Sequence, residues 1–482
     1  MQHRPPFPRP TPLNTTSVPS TPATRNLAAK ARRIGGAFAS NAAGTVMGQI
    51  VQLIAIPLQL HHLGSAQFGL IVLFNSLVVA GSLTDAGIGP TVLRFVARTE
   101  RHPRAMEHVI ASSLTVILGI SAFVAIASIG GTWAWTAWHG ATPVAGTVQP
   151  LVLAALVSAG VAASMVSWLG LNMLRGLRHY RLFALCESIQ RIMMPLVCTV
   201  VAVLTKDASA VLFALCAWTA LAAVATLVFA ARRAGVHLHV TRNLRYFRRH
   251  MFAFSRWVWA QSIFGYAGSQ ADRLVIAAVM DLSALGIYAV AVSVANALLA
   301  VISAGGAFLL PEAASRLADR AWLTRAFLHY TLLFSAVSAA GIAVFTPLAK
   351  PILDLWVGAT VAQQVLPILL PLLWTISGAA GSAPSHHILN AMGRSKFAAA
   401  ASMFANSAVL IGMLVGGLFF GLWGVIAGKL FSLPLGLGIR AVTAHRIFGL
   451  PHPVRVAFKI VWPTLVGALV GLPLSWWFLV PR

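Results

Sequence analysis

The chain has 482 residues, of which 58% are hydrophobic and 9% charged, and 35 Lys and Arg against 10 Asp and Glu give a formal net charge of +25. At a mean hydropathy of +0.81, one water-soluble core cannot hide so much apolar surface, and lipid must be the main solvent. A nucleic-acid partner is excluded because the charges sit in short clusters between apolar runs, with no folded basic domain or aromatic platform.

Residues 1–30 are rich in Pro, Thr and Ser, lack an apolar run and carry Arg4, Arg9, Arg25 and Lys30. They read as a disordered basic cytoplasmic tail and not as a cleavable signal peptide. Beyond them, long apolar stretches recur, each able to cross about 30 Å of hydrocarbon as a helix. A barrel would need segments of about ten residues alternating in and out, which these are not. The first six spans are predicted at 34–60, 68–92, 109–133, 148–174, 182–204 and 208–231, within a lobe covering 31–235. A cytoplasmic linker follows at 236–250. Spans at 252–280, 284–310, 326–345, 365–389, 397–419 and 422–444 make a second lobe covering 251–447, and 457–479 supplies one further span within 448–482.

The basic residues test this division, because cytoplasmic connections carry the Lys and Arg excess. Twenty-eight of the 35, Arg440 among them, fall in the tail and in alternate connections, while the other parity holds Lys206, Lys350 and Arg482. The N-terminus is therefore expected in the cytoplasm, with Arg482 on the far side behind an interfacial Trp476 and Trp477. Four basic residues remain, Arg191, Arg256, Arg273 and Lys429, all inside predicted spans. Cys186, Cys198 and Cys216 also lie in apolar spans, without metal-ligand spacing. His61–His62 and His386–His387 are neighbours on a helix and do not converge on one ion.

An internal repeat emerges from two glycine landmarks. Phe68-Gly69-Leu70 opens the second span and Leu285-Gly286-Ile287-Tyr288 the eighth; Arg175-Gly176-Leu177 follows the fourth span and Met392-Gly393-Arg394 the tenth. Both glycine pairs are 217 residues apart. Six spans per repeat is even, so the two lobes share one orientation. The second span also carries Asp85-Ala86-Gly87-Ile88-Gly89-Pro90 followed by Arg94, and the second lobe has Asp272-Arg273 and Pro311-Glu312. With these landmarks the sequence resembles Wzx-type polysaccharide and lipopolysaccharide (O-antigen) flippases, in the superfamily that also holds MATE antiporters and the lipid II flippase. The resemblance covers about residues 34–446. It implies an all-α polytopic membrane protein with two six-helix lobes and a parallel internal repeat, to which this chain adds a C-terminal helix. It also implies a bacterial inner-membrane location.

Charges in hydrocarbon cost several kcal/mol unless they face a polar cavity or a partner, so the buried ones are candidates for function. Arg191 lies near mid-depth with Glu187 one turn before it as a partner. Arg256 lies near the start of the seventh span, where cavity lining and snorkelling are equally compatible. Asp272 and Arg273 are adjacent and so point to different sides of a helix, and Lys429 has no acid nearby in the sequence. Asp85 fits a pairing or coupling role, or a helix-breaking bend; Glu312 fits an interface. Arg forms bidentate pairs with phosphate while staying charged, so Arg191, Arg256, Arg273 and Lys429 together suit an anionic headgroup.

No nucleotide-binding loop, HExxH or nucleophile elbow is present, and no enzymatic activity or cofactor is expected. An ion gradient, of H+ or Na+, is one candidate driving force. The expected partners are a lipid-linked oligosaccharide, membrane lipids, and the glycan polymerase and glycosyltransferases of the same route. The rival readings are a MATE-like cation-coupled drug antiporter, which needs an acidic site in one lobe, and a non-transporting scaffold of glycan assembly.

Overall fold

The computed structural model describes residues 22–83, 87–99, 102–139, 144, 146–304 and 309–479. Within them the chain is almost entirely helical, apart from short turns and the connection at 236–243, with one isolated antiparallel bridge between Val144 and Val148. The first half comprises α1 (Pro22–Ser82), α2 (Ile88–Thr99), α3 (Pro103–His139), α4 (Pro150–Gly176), α5 (Tyr180–Thr205) and α6 (Ala208–Ala234). The second comprises α7 (Phe252–Ser269), α8 (Ala271–Val279), α9 (Leu282–Ala304), α10 (Leu309–Ser315), α11 (Arg320–Val357), α12 (Ala359–Ala391), α13 (Ser395–Leu430), α14 (Ser432–Arg446) and α15 (Pro453–Leu479).

Among the described residues, ten helical stretches are long and apolar enough to cross a membrane, which makes this a multi-pass membrane protein. Two of the ten, 44–82 and 396–446, contain a glycine outside helical geometry, Gly64 (φ 75°) and Gly421 (φ 58°). At Gly421 the chain folds back on itself. A side chain on Gly416 would strike Gly424, and one on Gly428 would strike Gly412. This pairing, in which one number rises as the other falls, marks an antiparallel hairpin whose bare backbones touch, and it turns where the expected spans 397–419 and 422–444 meet. The expected span 252–280 is instead two shorter helices, α7 and α8, parted at Gln270 (φ −138°, ψ −16°).

Residues 1–21, Asp85, Arg101 and Arg482 lie outside the described residues. Of the tail expected over 1–30, residues 1–21 lie outside the described residues, and α1 begins at Pro22. The stretch Leu27-Ala28-Ala29-Lys30-Ala31-Arg32-Arg33 consists of strong helix formers.

The repeat is visible in the turns that close corresponding helices. Left-handed backbone follows α4, α5 and α6 at Arg178, Lys206 and Gly235, and recurs after α12, inside α13 and after α14 at Gly393, Gly421 and Gly449. The partner of Gly393 is thus Arg178 rather than Gly176. Glycine identity misleads by two residues because the position is defined by its left-handed geometry, which Arg178 adopts at φ 61°.

Each lobe has its own apolar core, and Ile56, Leu60 and Phe68 of α1 cross over to pack in that of the second. The lobes meet at both ends. At one end Gly69 and Gly286 are in backbone contact, so that a Cβ on either would overlap the other helix, and Ser65 Oγ lies 2.6 Å from Ser283 Oγ. At the other, basic end, Gly87 (φ 71°) abuts Ser255, the Arg94 guanidinium stacks 4.4 Å above Phe254, and Trp259 Nε1–H donates to Leu83 O at 2.5 Å. The last helix, α15, is seated on the second lobe. Gly467 and Gly471 pack under the Trp374 ring, and the hydroxyls of Ser338, Ser377 and Thr464 form a buried chain with links of 2.8 and 2.9 Å.

Candidate substrate path

The break at Gln270 puts two adjacent charged residues in the first turn of α8. They face different compartments, separated by α8 and the neighbouring α9. Arg273 lines a cavity of about 260 Å³ between the lobes, with Gln49, Gln52 and Asn75 of α1, Met194 of α5 and Ser293 of α9. Asp272 lines a second cavity, of about 530 Å³, inside the second lobe among α8, α9, α12, α13 and α14. Asn296 borders both.

Asp272 is 3% exposed and fully engaged. Its Oδ2 accepts from Tyr288 OH at 2.6 Å and pairs with the Lys429 ammonium, while Oδ1 accepts from the Arg273 backbone N–H at 2.9 Å. Lys429 Nζ also lies 3.2 Å from Tyr288 OH. The bare glycine contact of the α13 hairpin makes this possible: Gly428 lies against Gly412, bringing Lys429 deep enough to reach α8. The cluster is close to neutral overall.

Arg273 is held differently. Its Nη1 donates to Gln270 Oε1 at 2.7 Å, while its buried Nε–H has no acceptor among the described residues. Among the described residues it is also the one charged side chain lining the inter-lobe cavity. Arg191 pairs with Glu187 at 2.5 Å and donates to Thr45 Oγ1 of α1 at 2.5 Å. Met194 and Cys198, three and seven residues further along α5, line the inter-lobe cavity. Arg191 therefore shares their helix face, one turn nearer the basic end. Arg256 is exposed in the first turns of α7 and lines neither cavity. Glu312 pairs with Arg316 at 2.7 Å, with both side chains substantially exposed. Asp85 lies outside the described residues.

A family model described as polysaccharide biosynthesis protein matches residues 36–317, more than half of the chain. The chain belongs to that family. The fold of this polysaccharide biosynthesis family member is similar to a structure of the lipid II flippase MurJ in an inward closed conformation. The TM-score is 0.68 at 13% sequence identity, covering 91% of this chain and 95% of that one. It is also similar to an inward-facing multidrug resistance MATE family transporter of the MOP superfamily, with a TM-score of 0.58, 14% identity and coverage of 88% and 95%. A comparison with curated proteins returns no match.

Two features of this polysaccharide biosynthesis family member escaped the sequence. Lys429 has no acid near it in the chain, yet it meets Asp272, 157 residues away. Arg440, grouped in the sequence with the orientation-setting cations, is 3% exposed and lines the larger cavity. The available signal was its place inside the expected span 422–444.

Proposed function

We propose that this protein is a flippase that carries a polyprenyl-pyrophosphate-linked oligosaccharide from the cytoplasmic to the periplasmic leaflet of a bacterial inner membrane, by alternating access of its two lobes. The observation that carries this reading is the polar cavity between the lobes, whose one charged lining residue among those described is Arg273, with an Nε–H donor that finds no acceptor among them. A pyrophosphate entering that space would gain a charge-assisted pair from a partly buried guanidinium. Arg191 on the same α5 face gives an anion a first contact nearer the basic end. Closure at both ends, by Gly69–Gly286 and by Arg94–Phe254, fits one stage of a rocking cycle, in which one contact opens while the other holds. The family's description and the fold likeness to a lipid II flippase support the same class.

A drug antiporter would need an available carboxylate. Asp272, the one acid among the described residues lining either cavity, is occupied by Lys429 and Tyr288. In the proposed cycle the N-terminus is cytoplasmic and the driving force is an ion gradient, the membrane potential or the substrate gradient.

Replacing Arg273 and Arg191 singly by Ala tests the mechanism. Loss of surface polysaccharide with normal membrane insertion is the expected result; full export in both variants overturns the anionic path.

A further inference from the structure

Arg440 has no role in the inter-lobe path, and its surroundings are unusual for a buried cation. Its Nη2 donates to Gly378 O at 2.8 Å and Ser382 Oγ at 2.6 Å, both on α12. Its Nε–H is buried without an acceptor, and no carboxylate among the described residues pairs with it. A guanidinium cannot shed its charge inside a protein, and burying it without a counter-ion is costly. Such a group at the wall of a cavity of about 530 Å³ is incompletely neutralised.

The fold does not require a charge there. By the repeat, α14 and the second arm of the α13 hairpin correspond to α6, which carries no charged residue from Ala208 to Ala231. A helix in this position packs perfectly well without one. Both Lys429 and Arg440 line the larger cavity, as do Ser432 and Gly436 between them. Their separation of 11 residues is close to three helical turns, or about 16 Å along one face. Lys429 is matched by Asp272; Arg440 is not.

We propose that the second-lobe cavity is an anion site in its own right, separate from the inter-lobe path, in which Arg440 anchors a phosphate oxyanion. Ser382 and the Gly378 carbonyl fix the plane of the guanidinium through Nη2, leaving its other donors for oxygen atoms of the ligand. Asn296, which also lines this cavity, offers an amide to the polar body of the same molecule. The phosphate belongs either to a soluble compound or to the headgroup of an anionic lipid entering from the basic end.

The site is read by direct binding, with no transport required, so it stands or falls apart from the flippase reading. Purified full-length protein is titrated with inorganic pyrophosphate in neutral micelles while thermal unfolding is followed. In parallel, it is placed in nanodiscs of phosphatidylcholine with and without phosphatidylglycerol. Arg440→Gln is expected to raise the half-saturating concentration at least tenfold, whereas Arg394→Gln, at an exposed cation that lines neither cavity, leaves this site's midpoint unchanged. Arg440→Lys, which keeps the charge and loses the fork, is expected to fall between wild type and Arg440→Gln; it also supplies the measurement if Arg440→Gln does not fold. Stabilisation by phosphatidylglycerol alone, lost in the same variants, assigns the phosphate to a lipid. Equal midpoints in wild type and the Arg440 variants, or no saturable stabilisation by either probe, overturn the site.

Discussion

Replacing Lys429 by Met removes the ammonium from the Asp272 cluster while keeping most of the side-chain volume. Asp272, 3% exposed, would then be a buried carboxylate held by one hydroxyl, one backbone N–H and the neighbouring Arg273. Removing one partner of a buried ion pair costs about 3–5 kcal/mol because the other charge is left uncompensated. The Tyr288 and Arg273 contacts that remain place the expected loss near the lower end, about 3 kcal/mol, or roughly a 150-fold shift in the unfolding equilibrium. Tyr288→Phe deletes one hydrogen bond in a membrane interior, where such bonds average about 0.6 kcal/mol, so its effect should be several times smaller. The double variant Asp272→Asn with Lys429→Met removes both charges and should recover most of the loss. Equilibrium unfolding of these variants and of Asp272→Asn alone in one detergent closes the double-mutant cycle and gives the coupling energy. A single Lys429→Met as stable as wild type, or a double variant no more stable than that single one, refutes the claim that the ion pair is the dominant contact.

Gly69→Leu forces a side chain into the backbone of α9 and should part the lobes at the end away from the basic face; the expected readout is a Tm drop together with new proteolytic cleavage near Leu282. Cysteines placed at Ser65 and Ser283, whose hydroxyl oxygens are 2.6 Å apart, should cross-link readily in membranes, and cross-linking should halt export if the lobes must separate there; undiminished export of the cross-linked protein argues against rocking. Gly467→Leu collides with the Trp374 ring and is expected to loosen α15 while the rest of the second lobe stays folded, seen as protease sensitivity confined to the segment after Gly449.

The positions of helices could be read from the sequence because hydrophobic runs and alternating basic loops are both local patterns. The breaks at Gly64 and Gly421 appear only in the structure, whereas Gly87, in the Asp85–Pro90 stretch, could be suspected of breaking a helix for the same reason. Partnerships could not. Nothing between Asp272 and Lys429 in the chain announces that they pair, since the contact depends on how closely the glycine faces of the α13 hairpin approach. Arg191 with Glu187 was legible because i and i+4 lie on one helix face. The opposite facing of Asp272 and Arg273 followed from their adjacency, but the cavities they face depend on how α8 and α9 lie against α1 on one side and against α12–α14 on the other. Arg440 was misjudged because a charge near a span end reads equally as a topology signal and as a buried group; only the packing of α12 decides.

The short helix α8 behaves as a turnstile with a charge on each arm. Asp272 and Arg273 are one residue apart, and one residue is about 100° around a helix, so α8 cannot rotate to withdraw one charge from its chamber without sweeping the other from its own. Any ligand that pulls on Arg273 from between the lobes therefore pulls on the Asp272–Lys429 pair inside the second. Through that pair a displacement of α8 would be passed to the α13 hairpin, which lines the other chamber.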